Sequence, residues 1–261
     1  MPTPHMLFDV DGQIARLTIN RPDARNAMTW TMYEALVEAC DEVDRHDNLR
    51  VFIVRAAGYK AFISGTDISQ FTQFDTPDAA LDYERRIDHV IDRIERVRVP
   101  TIAQVQGVAA GGGCAIALAC DMRVCTPQAR FGVPVARTLG NCLSAANYAR
   151  LVDLIGPART KDILFTGRLI EAAEADALGL VTRLAQPNEI DRVVRALAEA
   201  IAANAPLTLR ATKEAVRRIQ AHRRLDATLA YDLITMCYDS ADFRDGVAAF
   251  LAKRPPHFTG R

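Results

Sequence analysis

From Val99 to Cys120 the chain carries no charged residue. The stretch "VPTIAQVQGVAAGGGCAIALAC" is about the length of a bilayer span, so it either crosses a membrane or lies inside a core. Pro100, Gln104, Gln106 and four glycines interrupt it. A strand, a turn and a buried helix accommodate these breaks better than one continuous spanning helix. The segment therefore predicts the centre of a soluble α/β fold. Its glycine triplet, Gly111 to Gly113, falls where the helix begins. Glycine in a helix costs roughly 1 kcal/mol relative to alanine, so three together imply a close approach to the backbone.

The flanking sequence fits such a core. "QIARLTINRP" reads as a strand closed by Pro22, and Met32, Leu36, Cys40 and Val43 follow at helical spacing, with Thr31 and Glu34 in a capping-box arrangement. "VFIVRAAG" is a continuous apolar run, the pattern of a strand covered on both faces. "AFISGTDISQF" gives a short strand, a turn at Gly65 and a helix start. A polar helix over 79–97, the strand "TIAQVQG", the triplet with its helix, and the short strands "MRVCTP" and "ARFGV" come next. Helical patterns dominate from Leu143 onward. Strand–strand–helix units followed by helices predict an α/β core with a helical C-terminal region.

Charge and cysteines narrow the function classes. Lys plus Arg equals Asp plus Glu at 32 each, so no basic surplus exists for nucleic acid. The basic cluster "RATKEAVRRIQAHRR" reads as the solvated face of an amphipathic helix, with Ala215, Ile219 and Leu225 turned inward. Six cysteines are scattered without a CxxC pair, which predicts reduced, buried thiols and a cytoplasmic location. The start, "MPTPHMLFDVDG", lacks the basic and apolar regions of a signal peptide. No metal site or membrane association is expected.

The glycines fit neither common phosphate-binding pattern. Gly107 followed by Gly111 to Gly113 does not make GxGxxG, and Gly113 and Cys114 stand where a P-loop needs Lys and Ser or Thr. Two readings remain. The triplet can allow close helix packing, or it can expose N–H groups at a helix start, where the helix dipole favours negative charge. A second glycine turn, Ser64 to Asp67, also follows a strand and precedes a helix. If the two turns converge, they present two N–H groups to one oxygen, an oxyanion hole.

The motifs "NRPDARNAMTWTMYEAL", "AFISGTDI", "VQGVAAGGGCAIALACDMRV", "ARFGVP", "LFTGRLIEAAEADALGLVTRL" and "AAFLAKRPPHFTGR", in this order, resemble the crotonase (enoyl-CoA hydratase/isomerase) superfamily over essentially the whole chain. The resemblance implies a spiral core of ββα repeats over residues 1–195 and a helical trimerisation region over 196–261, assembled as a homotrimer or dimer of trimers. It also implies acyl-CoA substrates, with coenzyme A as part of the substrate and no permanently bound cofactor. The implied oxyanion-hole donors are the N–H groups of Thr66 and Gly112. Asp67 is expected to cap a helix. Coenzyme A is expected along Arg25, Ala27, Met28, Ala61, Ile63 and Ile68, with Phe250 and Lys253 reaching a neighbouring subunit's ligand; Arg25 and Lys253 equally read as solvated charges.

Two positions depart from the resemblance. Hydratases of that superfamily place one glutamate after GGGC and a second after the FGxP proline; here these positions are Ala115 and Val135. Neither side chain can move a proton, which points away from two-glutamate hydration. The alternatives are isomerisation, decarboxylation or thioester hydrolysis with a relocated acid/base, or a non-catalytic acyl-CoA-binding subunit. "VPVARTLGNCLSAANYAR" offers Arg137, Asn141, Cys142, Ser144 and Tyr148. Cys142 reads either as a small packed hydrophobe or as a thiol with a lowered pKa near a helix start. Arg137 reads as a structural ion pair or as a partner for an acyl carboxylate. His89 and Glu84, on the polar helix, are left without a role.

Overall fold

The structure, a computed structural model, describes residues 3–73 and 77–261. Ten strands are present among the described residues: β1 Met6–Asp11, β2 Ile14–Ile19, β3 Val51–Ala56, β4 Ala61–Ile63, β5 Thr101–Val105, β6 Val108–Ala110, β7 Met122–Cys125, β8 Arg130–Gly132, β9 Ile170–Glu171 and β10 Arg183–Leu184. The helices are α1 Trp30–Arg45, α2 Pro77–Glu95, α3 Gly112–Ala119, α4 Val135–Thr138, α5 Ala145–Thr166, α6 Ala172–Ala177, α7 Ile190–Ala202, α8 Pro206–Arg223, α9 Tyr231–Tyr238 and α10 Ala241–Leu251.

The strands form two sheets, one ordered β1-β2-β3-β5-β7-β10 and the other β4-β6-β8-β9. Three consecutive strand pairs split between them in the same way. β3, β5 and β7 lie in the larger sheet, and their successors β4, β6 and β8 lie in the smaller one. A helix follows each pair: α2 after a 3-10 turn at Ile68–Gln73, then α3, then α4. These are ββα repeats wound as a spiral, the fold class the sequence predicts. Because β4, β6 and β8 run parallel, their carboxyl ends lie side by side, each leading into a turn.

The uninterrupted apolar run of β3 is explained by burial on both faces. Val51 and Ile53 pack with Ile102 and Val124 against Ile190, Val194, Leu197, Ala198 and Ile201 of α7. Phe52 and Val54 face the main core, with Leu17, Ala103 and Leu36. The expected boundary between residues 195 and 196 thus falls within α7, whose apolar face lies on the sheet.

Two local expectations are corrected. The helix expected to open with the Thr31–Glu34 box instead starts at Trp30 behind Thr29. Its Trp30 N–H donates to Gln70 Oε1 at 2.9 Å, so a distant side chain satisfies this end. The face of α8 and its flank expected to turn inward is also exposed: Ala215 is open, and Ile219 and Leu225 are 61% and 66% exposed. The helix turns its polar side to the core, where Lys213 Nζ meets Asp121 Oδ2 at 2.7 Å and the Val99 carbonyl at 3.1 Å. Among the described residues no helix is long and apolar enough to cross a membrane; the uncharged Val99–Cys120 segment is β5, β6 and the buried α3.

Candidate active site

The two glycine turns meet. β4 and β6 are parallel neighbours, with Ala61 opposite Val108 and Ile63 opposite Ala109, so the turns leaving them share one end of the small sheet. A Cβ on Gly111 would stand 3.7 Å from Gly65 Cα, and one on Gly65 would stand 3.4 Å from the Ala110 carbonyl. The turns are therefore in van der Waals contact. Three nearby amides are occupied: Ser64 N–H donates to Arg25 O, Asp67 N–H to Met28 O and Gly111 N–H to Gly132 O. The N–H groups of Thr66 and Gly112 have no acceptor among the described residues. Gly112 opens α3, where an N–H lacks an intrahelical partner and the helix dipole is positive.

Each glycine of the triplet has its own reason. Gly111 adopts φ 54°, ψ −125°, a conformation that residues with a side chain avoid. A Cβ on Gly112 would lie 2.6 Å from the Tyr33 hydroxyl, and one on Gly113 would lie 2.2 Å from the Ile63 carbonyl. The triplet is thus a bend, then a residue pressed against a phenol, then a residue pressed against β4.

Hydroxyl groups crowd this point. Thr66 Oγ1 shares hydrogen bonds with Tyr33 OH at 2.9 Å and Tyr83 OH at 2.8 Å. The rings belong to an aromatic cluster: Trp30 lies 5.7 Å from Tyr33 and 5.5 Å from Tyr83, Phe71 lies 4.8 Å from Tyr83, and Tyr238 lies 6.3 Å from Tyr83 and 4.7 Å from Phe243. Burial holds Tyr33 and Tyr83 well above the ordinary phenol range, so both are protonated at neutral pH. Glu84, next to Tyr83 on α2, accepts from Tyr238 OH at 2.6 Å, and Asn141 Nδ2 donates to the same phenol at 3.0 Å. Burial, reinforced by Asp88, pushes Glu84 up to about 8, although bonds from Tyr238 and the Ser144 N–H act the other way.

The enoyl-CoA hydratase/isomerase family model matches residues 9–261. The chain belongs to that family. It is 32% identical over 257 residues to the short-chain-enoyl-CoA hydratase of Clostridium acetobutylicum, covering 97% of each chain. The crystal structure of an enoyl-CoA hydratase/carnithine racemase from Magnetospirillum magneticum superposes with a TM-score of 0.80 at 33% identity, covering 99% of this chain and 97% of that one. A methylmalonyl-CoA decarboxylase complexed with 2S-carboxypropyl-CoA shares the fold with a TM-score of 0.90 at 24% identity over the full length of both chains.

The remaining expected residues of this hydratase/isomerase-family chain are spread over several places. Ala115 is buried in the first turns of α3, and Val135 is half-buried at the start of α4. Arg25 and the buried Asn26 both have positive φ, 51° and 57°. Asn26 Nδ2 clamps the Ala57 and Ala61 carbonyls, laying the 25–28 segment along β4 and its turn. Arg25 is exposed, Ala27 and Ile68 are half-buried, and Met28, Ala61 and Ile63 point their side chains into the core. Asp67 caps the 3-10 turn through the Ser69 N–H and pairs with Arg21 at 2.7 Å. Burial would raise it, but bonds from Arg21 and Ser69 prevail and hold it below the ordinary carboxylate value.

Cys142 is buried, and its thiol donates to the Leu233 carbonyl at 3.5 Å. The neighbouring Cys237 thiol, then burial, push it far above an ordinary thiol, opposite to the lowered pKa considered from its sequence position. Ser144, not Cys142, caps α5. Arg137 is exposed, with its Cβ over Gly167. Phe250 and Lys253 are exposed at the end of α10 and just beyond it.

Sequence reasoning assigned no role to Tyr33, Tyr83, Glu84 or Tyr238. One signal was present for Glu84: Ala80, Ile87, Ile91 and Ile94 form the buried stripe of α2, and Glu84 falls within its spacing.

Proposed function

We propose that the chain is an acyl-CoA enzyme that holds the thioester oxygen with the Thr66 and Gly112 N–H groups and stabilises an enolate-like state there. The observation that carries this reading is the contact between two glycine turns with adjacent, unengaged N–H groups, one of them at a buried helix start. One such donor is worth about 2.7–4 kcal/mol to a developing oxyanion. Arg25, Ala27, Met28, Ala61, Ile63 and Ile68 border the coenzyme A on this reading, the buried ones through their backbone. Coenzyme A is part of the substrate, and no separate cofactor is needed.

Ala115 and Val135 occupy the places where two-glutamate hydratases carry acids, so rapid crotonyl-CoA hydration is not the proposed reaction. An isomerisation, decarboxylation or thioester cleavage that uses the enolate and a differently placed proton donor fits better. We also propose that the chains form a homotrimer or a dimer of trimers, with Phe250 and Lys253 reaching a neighbour's coenzyme A. The outward apolar face around α8, including Val216, Ile219 and Leu225, supports an assembly.

Calorimetry with butyryl-CoA and mass spectrometry of crotonyl-, 3-hydroxybutyryl- and malonyl-type thioesters test the reading. Binding with product from at least one thioester is expected. Absence of binding refutes it, binding without product favours a non-catalytic acyl-CoA subunit, and crotonyl-CoA hydration at the rate of a two-glutamate enzyme refutes the exclusion of hydration.

A further inference from the structure

Among the described residues, Glu84 is the most deeply buried carboxyl. Its surroundings are unlike those of Glu95, another deeply set acid. Glu95 is gripped by Arg150 at 2.7 Å and Arg224 at 2.8 Å; burial would raise it, but the two guanidiniums prevail and draw it down to about 2. That is how a structural carboxylate is normally stabilised. Glu84 has no Lys, Arg or His within ion-pair reach among the described residues. A phenol and a backbone N–H hold it instead. Burying an acid without a cation is costly, and such groups concentrate at functional sites.

The location agrees. Glu84 follows Tyr83, whose hydroxyl is 2.8 Å from Thr66 Oγ1 beside the two unengaged N–H groups. Tyr238, from α9, packs its ring 6.3 Å from that of Tyr83 and donates to Glu84. Asn141, which orients the Tyr238 oxygen, comes from the loop that follows Val135 and α4. We propose that the Glu84–Tyr238 pair, supplied by α2 and α9, transfers the proton that Ala115 and Val135 cannot, at the carbon next to the thioester carbonyl.

This rests on the acyl-thioester reading above. In the step, the α-C–H bond breaks and its electron pair moves onto the carbonyl oxygen facing Thr66 and Gly112. The Tyr238 oxygen takes the α-proton as its own hydroxyl proton passes to the Glu84 carboxylate. Tyr238 ends unchanged, Glu84 ends neutral, and the reverse step returns the proton. Tyr238 is the catalytic residue and Glu84 positions and holds the proton. The titratable groups around Glu84 are Asp88 on its own helix, Tyr33 from α1, Tyr83 beside it, Cys142 from the loop, Tyr148 from α5, and Tyr238 with Cys237 from α9. The carboxyls, phenols and thiols among them carry no positive charge, so Glu84 changes protonation state near pH 8 and can both accept the proton as a carboxylate and return it as an acid.

The test is exchange of the α-protons of butyryl-CoA in D₂O, followed by proton NMR across pH 5–9. Wild type is expected to exchange them with an inflection near pH 8. Glu84→Gln and Tyr238→Phe are expected to slow exchange 10²–10⁴-fold, to lose that inflection and to keep butyryl-CoA affinity within about threefold. Thermal melting checks each fold, and if one variant fails to fold the other decides. Exchange within threefold of wild type in a folded variant, with the inflection retained, overturns the proposal and leaves the acyl-thioester reading standing. Wild type that neither binds nor exchanges butyryl-CoA overturns both.

Discussion

Adding one methyl group to Gly112 or to Gly113 should have sharply different consequences, because the two positions press against different kinds of atom. At Gly113 the new Cβ would lie 2.2 Å from the Ile63 carbonyl oxygen and 2.5 Å from Ile63 Cβ. Ile63 belongs to β4 and is fully buried, so relief requires α3 to part from the small sheet by about 1 Å. A gap of that size forfeits a quarter to a half of each dispersion contact along the seam. Overpacking ordinarily costs about 1–3 kcal/mol, and a clash with paired backbone places Gly113→Ala at or above the top of that range. At Gly112 the obstacle is the Tyr33 hydroxyl at 2.6 Å, the far end of a side chain. Displacing it costs its bond to Thr66, about 1 kcal/mol, and alanine's helix preference returns a similar amount. Gly112→Ala should therefore be destabilising by at most about 2 kcal/mol. Tyr33→Phe removes the obstructing oxygen, so the Gly112→Ala/Tyr33→Phe pair should show a coupling of about 1–2 kcal/mol in its favour, whereas Gly113→Ala/Tyr33→Phe should add within roughly 0.5 kcal/mol. Urea unfolding at one fixed protein concentration measures all five variants. The chain has one tryptophan, Trp30, with its ring 5.7 Å from that of Tyr33, which reports on this seam. A Gly113→Ala variant as stable as wild type, or strict additivity of Gly112→Ala with Tyr33→Phe, would refute the packing argument.

Three further outcomes follow from named contacts. Glu84 is raised from 4.5 to about 8 on folding, so the native state holds its proton more tightly and stability falls as pH rises across that interval; Glu84→Gln should flatten this fall by on the order of a few kcal/mol, read as melting temperature between pH 5 and 8. Glu95 is drawn down to about 2, so its contribution is present at neutral pH and lost as pH falls from about 4.5; Arg150→Met, which leaves Arg224 in place, should cost toward the low end of roughly 3–5 kcal/mol in urea titrations at pH 7 and much less near pH 2. Ile219→Glu and Leu225→Glu should shift the sedimentation coefficient toward that of a single chain while leaving the circular dichroism spectrum unchanged; unchanged sedimentation would remove this face from the assembly.

Periodicity along the chain reports that a face is covered, and not what covers it. Where the covering element is close in sequence or generic, the pattern was sufficient. The apolar run of β3 and the breaks inside Val99–Cys120 lead directly to strands buried on both faces and to glycine turns at helix starts. The convergence of those turns depends on β4 and β6 being parallel neighbours, which no local pattern encodes; the family resemblance supplied it as an expectation. α8 shows the limit in one direction: its apolar face is real, but the core takes the polar side, through Lys213 and Asp121, because an ion pair and a carbonyl bond anchor that side. α2 shows it in the other. Glu84 stands at the spacing of an apolar stripe, but its partner Tyr238 is 154 positions away. Until that phenol is placed, a carboxyl in the stripe reads as a surface charge at the edge of a helix. Once it is placed, packed against Tyr83, the same carboxyl is a buried acid held by a phenol, and it is the group we propose to hold the proton at a site whose helix starts, α3 and α4, carry alanine and valine. On the proposed reading, the chemistry of this chain turns on what α2 and α9 bring to the two glycine turns as much as on the turns themselves.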